Sequence, residues 1–230
     1  MTIKTGILAT AGSAGLLIAA IAAAEPTVVT FDSGAEGWDG NAAVEPDGGH
    51  PGANAHFLLE TTGIEYRTDS NTSFVGDFTT SALVEVGLDA KADSITFDGG
   101  EISRNLLVEF RSHALAQGGY PYASVWTRLG VLQASPDWAP YTVAFAPASL
   151  TLPTGWGGFG AEDPTTGDPV LPPGVTFADV MAHVDELAFT TFEPGYIYGF
   201  AVFDARMDNL SIERFGDRIF SDGFDPAPVH

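Results

Sequence analysis

Apolar and polar residues alternate with a period of two along much of this chain. In ALVEVGLDA, Val84, Val86 and Leu88 fall on one side and Glu85 and Asp89 on the other. In NLLVEFRS, Leu106, Val108 and Phe110 oppose Glu109 and Arg111. Such alternation predicts half-buried strands of antiparallel sheets. YASVWTRLG, YTVAFAP, ELAFTTF and DNLSIERF continue it with β-branched and aromatic residues, and Gly, Pro, Asp and Asn clusters separate the runs. Many short strands joined by turn chemistry predict an all-β antiparallel sandwich, a jelly roll.

The period changes once. Phe177, Val180, Met181 and Val184 lie at i, i+3, i+4 and i+7, with Thr176 placed to cap and Asp179 three residues on. That predicts one short helix across an open end of the sandwich, with His183 off its apolar stripe at the surface. Between Pro147 and Val175 the pattern fails. GWGGFGAEDPTTGDPVLPPG is so dense in Gly and Pro that an irregular loop is expected, and a loop this long is functional or mobile.

The two ends read differently from the middle. Residues 1–24 carry one lysine, an apolar run and Ala22-Ala23-Ala24, the pattern of a secretory signal peptide cleaved after Ala24. The run is too rich in Gly and Ala, and lacks the basic flank, for a membrane anchor. The expected organisation is therefore a leader at 1–24, one domain at 25–215 and an acidic ending at 216–230. No later stretch is apolar enough to insert in a membrane.

Charge and cysteine content narrow the partners. The formal charge is −21, and Lys91 is the only lysine left once Lys4 goes with the leader. A polyanion such as nucleic acid, or an anionic membrane, is repelled by such a surface. With no cysteine, a secreted fold of this kind depends on core packing or bound ions.

Candidate chemistry is sparse. Glu109 and Arg111 share the polar face of one strand, and Tyr122, Trp126 and Arg128 share a face of the next. If the faces align, rings, a carboxylate and guanidinium groups form a shallow surface suited to sugar hydroxyls and CH faces. A solvated sheet face explains the same letters. Trp38 is expected to close one end of the core with its N–H on a carbonyl. His50 and His56, six apart across a Gly-Pro turn, match no zinc spacing, and Gly155, Gly157 and Gly160 fit G-x-G-x-x-G without the βαβ context it needs.

FDSGAEGW, PDGGHPGA leading into AHFLLE, FVGDFTTSALVEVGLDAKA, LLVEFRS, YASVWTRLG, the helix and MDNLSIE follow an order similar to that of laminin B (domain IV) modules, relatives of galactose-binding-like jelly rolls. The cysteines that accompany laminin modules are missing. The ending DRIFSDGFDP resembles a short C-terminal segment of many secreted gammaproteobacterial proteins, which implies a secreted, cell-surface or periplasmic location in a Gram-negative cell. The jelly-roll resemblance also implies a structural calcium ion held by Asp32, on the first strand, and Asp208, on the last. The alternative is that each carboxylate bonds backbone amides at a turn or strand boundary. The expected function is a secreted, non-catalytic module that binds glycan or another extracellular surface. A polysaccharide hydrolase or lyase using Glu109, and a structural envelope or matrix protein, are the alternatives.

Overall fold

The computed structural model describes residues 25–216. The leader at 1–24, and all of the 216–230 ending but its first residue, lie outside the described residues. Strands are numbered in chain order. A first sheet runs β10 (Ala139–Phe145), β6 (Leu83–Phe97), β15 (Ala201–Phe215), β4 (Gly52–Thr61) and β3 (Ala43–Gly49). On it, β1 (Thr27–Val29) also pairs with β15, and β7 (Gly100–Glu101) with β6. A second sheet runs β11 (Trp156–Phe159), β9 (Ala123–Leu132), β8 (Arg104–Ser112), β14 (Glu186–Thr190), β5 (Glu65–Thr68) and β2 (Asp39–Gly40). Every pairing between these strands is antiparallel, and the two sheets enclose one core. The described residues form an all-β antiparallel sandwich with one short α-helix.

The alternation read from the sequence sets that core. Val84, Val86 and Leu88 are buried and Glu85 is exposed. Eight phenylalanines, among them Phe57, Phe110, Phe189 and Phe203, are essentially inaccessible. Each contributes on the order of 2–3 kcal/mol through removal of its ring from water, and edge-to-face contacts such as Phe78–Phe110 at 5.7 Å add to that. Trp38 is 3% exposed, stacked between Tyr66 and Phe189. Contrary to expectation, its indole N–H finds no acceptor.

Helix α1 (Phe177–Ala182) starts on a complete capping box: the Thr176 hydroxyl accepts from the Asp179 amide, and the Asp179 carboxylate accepts from the Thr176 amide. Its Phe177 meets Trp156 and Phe145 edge-on, which closes one end of the sandwich. His183 is exposed beyond it, bonded to the Asp179 carbonyl.

The 147–175 segment departs from the irregular loop expected. It contributes the edge strand β11 and a small ladder of β12 (Ala161–Glu162) with β13 (Pro169–Val170). Two glycines of β11 mark close approach. A Cβ on Gly157 would sit 2.4 Å from the Trp126 ring, and one on Gly158 would sit 2.7 Å from Leu171. Glycine lets the edge strand lie against large side chains that any other residue would displace.

Candidate functional site

The outer face of the second sheet gathers most of the expected residues. Register places Glu109 opposite Trp126 on β9 and opposite Ala188 on β14, and it places Arg111 between Ser124 and Glu186. Tyr122, just ahead of β9, lies under the Arg111 guanidinium at 4.9 Å from the ring centre. The predicted alignment of the two strands therefore holds. The solvated face does not: Glu109 is 2% and Arg111 5% exposed.

Both are buried because they satisfy each other and two further acids. Arg111 donates from Nε and Nη2 to Glu109 Oε2, from Nη2 to Glu65 Oε2 at 2.6 Å, and from Nη1 to Glu186 Oε1 at 2.6 Å. The Ser124 hydroxyl donates to the other Glu109 oxygen. Arg67, across β14, bonds Glu65 and faces Glu186 at 3.4 Å. Burial alone would strip the charge from Arg111, yet the charges of Glu109 and Glu65 hold its pKa above the ordinary arginine value. Burial pushes Glu65 towards protonation, and the hydrogen bonds and charges of Arg111 and Arg67 outweigh it, leaving its pKa below the usual carboxylate value. Burial, then the Glu109 charge, raises Tyr122 well above the ordinary phenol range, so its hydroxyl is a neutral donor.

A roof covers part of this face. The β14–β15 connection, residues 191–200, reads TFEPGYIYGF and presents Phe192, Tyr196, Ile197 and Phe200 to solvent, with Tyr196 62% exposed. Its Glu193 is buried and accepts from Asn105 Nδ2 at 2.8 Å and from Arg128. That anchor fixes the loop over the sheet. Between them lies a depression of about 150 Å³ lined by Glu109, Arg111, Tyr122 and Phe159 and by Phe192, Glu193 and Tyr196 of the roof.

Arg128 thus serves the roof rather than an open face, although its side chain remains half exposed. Trp126 is half-buried on β9, its ring against Gly157 of the edge strand. Sequence reasoning missed Glu65, Glu186, Arg67 and the roof. The first three are set by long-range register that no local pattern encodes. The roof had a signal, five large apolar residues within ten positions interrupted by Pro194-Gly195.

Asp32 and Asp208 converge on one feature, the turn between β3 and β4. Asp32 Oδ1 accepts from the Ala53 amide at 3.2 Å, and Asp208 accepts from the amides of His50 and Asn209. Asp32 is aimed there by Phe31, which takes a left-handed φ of 61° while its ring packs on Tyr66 at 5.6 Å. Asp208 precedes a bulge at Asn209 (φ 49°), where β15 exchanges β4 for β1 as its neighbour. Burial raises the Asp208 pKa against the amide hydrogen bonds of His50 and Asn209, and the nearby Asp89 charge adds to the rise. Asp32 Oδ1 and both Asp208 oxygens accept from amide N–H groups, and among the described residues no three His, Asp or Glu side chains gather as a metal site. His50 reaches Asp89, and His56 lies buried between Glu45 and Asp204.

No family model matches the chain, and no curated protein does. Of the laminin B (domain IV) resemblance, the structure shows the antiparallel β-sandwich. Solved structures with a similar backbone include an exo-β-agarase, at 11% identity over 81% of this chain and 24% of that one, TM-score 0.46. The agarase AgWH50C aligns at 9% identity over 82% of this chain and 24% of that one, TM-score 0.44. A family 11 carbohydrate-binding module from Clostridium thermocellum, solved with a β-1,3-1,4-mixed-linked tetrasaccharide, aligns at 12% identity over 83% of this chain and 96% of that one, TM-score 0.42. The chain spans about a quarter of the length of the two agarases.

Proposed function

We propose that this protein is a non-catalytic module that binds extracellular glycan in the roofed depression of the second sheet. One observation carries the reading: the exposed side chains of Tyr196 and Phe192 line the same depression as charged groups that are already paired. Rings offer stacking area for sugar CH faces, and oriented carboxylates and the Tyr122 hydroxyl offer partners for sugar hydroxyls. Catalysis fits the same residues poorly. Glycoside hydrolysis needs a protonated acid and a second carboxyl free to act, whereas Glu109 has both oxygens engaged and Glu65 is held anionic.

Polysaccharide pull-down tests the proposal. Wild type is expected to be retained by at least one polymer, with retention weakened about tenfold by Tyr196→Ala and lost with Tyr196→Ala combined with Phe192→Ala, at unchanged melting temperature for the first. Retention by no polymer, with the fold intact, refutes it. The site of action belongs to the proposal too: the leader at 1–24 and the ending at 216–230 support export from a Gram-negative cell.

Calcium between Asp32 and Asp208 stands as a separate proposal, supported by the meeting of both carboxylates at the β3–β4 turn and by the Asp89–Asp208 repulsion. A shell of six to eight oxygens would need backbone carbonyls and water as well. A structural ion predicts a melting temperature that falls on chelation and recovers with added calcium; no shift in either direction dismisses it.

A further inference from the structure

The depression under the roof is the first of three that adjoin across the outer face. It shares Phe192 with a second, of about 290 Å³, beside Asn41 and Glu65. The second shares Asp39 and Arg67 with a third, also about 290 Å³, at Trp38 and Ser70. Six carboxylates line this furrow, those of Glu109, Glu193, Glu65, Asp39, Asp69 and Glu186, against the two guanidinium groups of Arg67 and Arg111. Its formal charge is therefore −4.

Arg111 is not available to a ligand, and Arg67, although its side chain is 44% exposed, is already drawn to two carboxylates. Arg111 is saturated by Glu65, Glu109 and Glu186, Arg67 is shared between Glu65 and Glu186, and neighbouring Arg128 closes on Glu193. Asp39 bonds only the adjacent Gly40 amide among the described residues. A uronate or sulfate group entering the furrow meets carboxylates that no cation neutralises within a Debye length of about 8 Å, and the guanidinium groups beside it are already drawn to other carboxylates. A neutral sugar can instead donate its hydroxyls to Asp39 and Asp69 and lay its CH face on Tyr196 and Phe192.

Resting on the glycan reading above, we infer that the furrow selects neutral polysaccharide and excludes uronate- or sulfate-bearing polysaccharide. The chain as a whole is also strongly acidic, so the local charge of the furrow has to be separated from the global charge. Affinity electrophoresis of the full chain in gels cast with agarose or laminarin, against alginate or carrageenan, separates the possibilities. At about 20 mM salt the neutral polymers are expected to retard the protein at least about tenfold more strongly than the acidic ones, a gap that narrows at about 0.5 M. Asp39→Asn with Asp69→Asn should narrow the gap at low salt. Glu60→Gln with Glu85→Gln, on the other sheet, removes the same global charge and should leave it unchanged. Stronger retention by alginate or carrageenan, or equal effects of the two double variants, overturns the inference while glycan binding stands. Retention by no polymer overturns glycan binding and the inference with it.

Discussion

The two outer faces of the sandwich start from the same strand pattern and end in different electrostatic states. On the first sheet, Arg206 reaches Glu45 and Asp93, Lys91 reaches Asp93, and His56 lies between Glu45 and Asp204. The acids there are 33–42% exposed, so water screens each pair. On the second sheet Arg111 is 6% exposed among carboxylates at 3%, 13% and 15%. Desolvating such a cluster costs several kcal/mol per ion, and replacing buried ion pairs by apolar residues is often neutral or stabilising. Exposed pairs of the first kind need no special reason to exist. A sequestered hub beside an aromatic roof does, and ligand recognition supplies one.

The largest expected effect breaks the hub from its centre. Arg111→Met removes one cation and strands three buried carboxylates, which should cost about 3–5 kcal/mol. For a domain of this size that lowers the melting temperature by roughly 10 °C. Thermal unfolding by circular dichroism reads it directly. Replacing the hub as a whole sharpens the comparison further. Arg111→Met combined with Glu65→Gln, Glu109→Gln and Glu186→Gln should regain much of that loss and still abolish polysaccharide retention. A quadruple variant that stays as unstable as the single one would mean that the hub holds the fold, and the functional reading of the face would lose its main support.

How far this contrast was legible in the sequence follows from the range of each signal. Val84, Val86 and Leu88 announced their strand through neighbours two residues away, and Thr176 with Asp179 announced the helix within one turn. Both are local, and both are found. Glu109 and Arg111 were legible as a shared face but not as a buried one, because burial depends on Glu65, 46 residues away from Arg111, and on Glu186, 75 away. The roof at 191–200 was written in its rings but had no strand pattern to attract notice. β11 was hidden because its glycines, read as loop formers, in fact make room for Trp126 and Leu171.

Acid titration gives a smaller separation between the faces. Glu65 and Glu45 both have pKa values below the ordinary one, Glu65 through Arg111 and Arg67 against the cost of burial, Glu45 chiefly through its hydrogen bonds to His56 and Arg206. A carboxylate with a depressed folded-state pKa contributes stability above its unfolded value near 4.5, and loses it as pH falls through the folded value. Stability measured by urea unfolding should therefore decline below about pH 4.5 in wild type. Glu65→Gln should flatten that decline, and the flattening should survive 0.5 M salt. Glu45→Gln should flatten it less, and only at low salt.

The smallest effect is the most direct control on the comparison. Arg206→Met removes the arginine of the first face as Arg111→Met does that of the second, but its partners Glu45 and Asp93 remain 42% and 37% exposed and regain water when it leaves. Its hydrogen bond to Asn54 Oδ1 is lost as well, at 3.2 Å a modest one. The net cost should be at most about 1 kcal/mol, and less at high salt, because an exposed pair gains little Coulomb energy and restrains two long side chains. Met keeps the aliphatic packing of the arginine stem, so the change isolates charge from volume. Thermal unfolding of both variants at low and high salt is the measurement. Equal destabilisation by Arg206→Met and Arg111→Met would erase the distinction between a screened ladder and a sequestered hub, and the second sheet would have no greater claim than the first to be the face that meets a ligand.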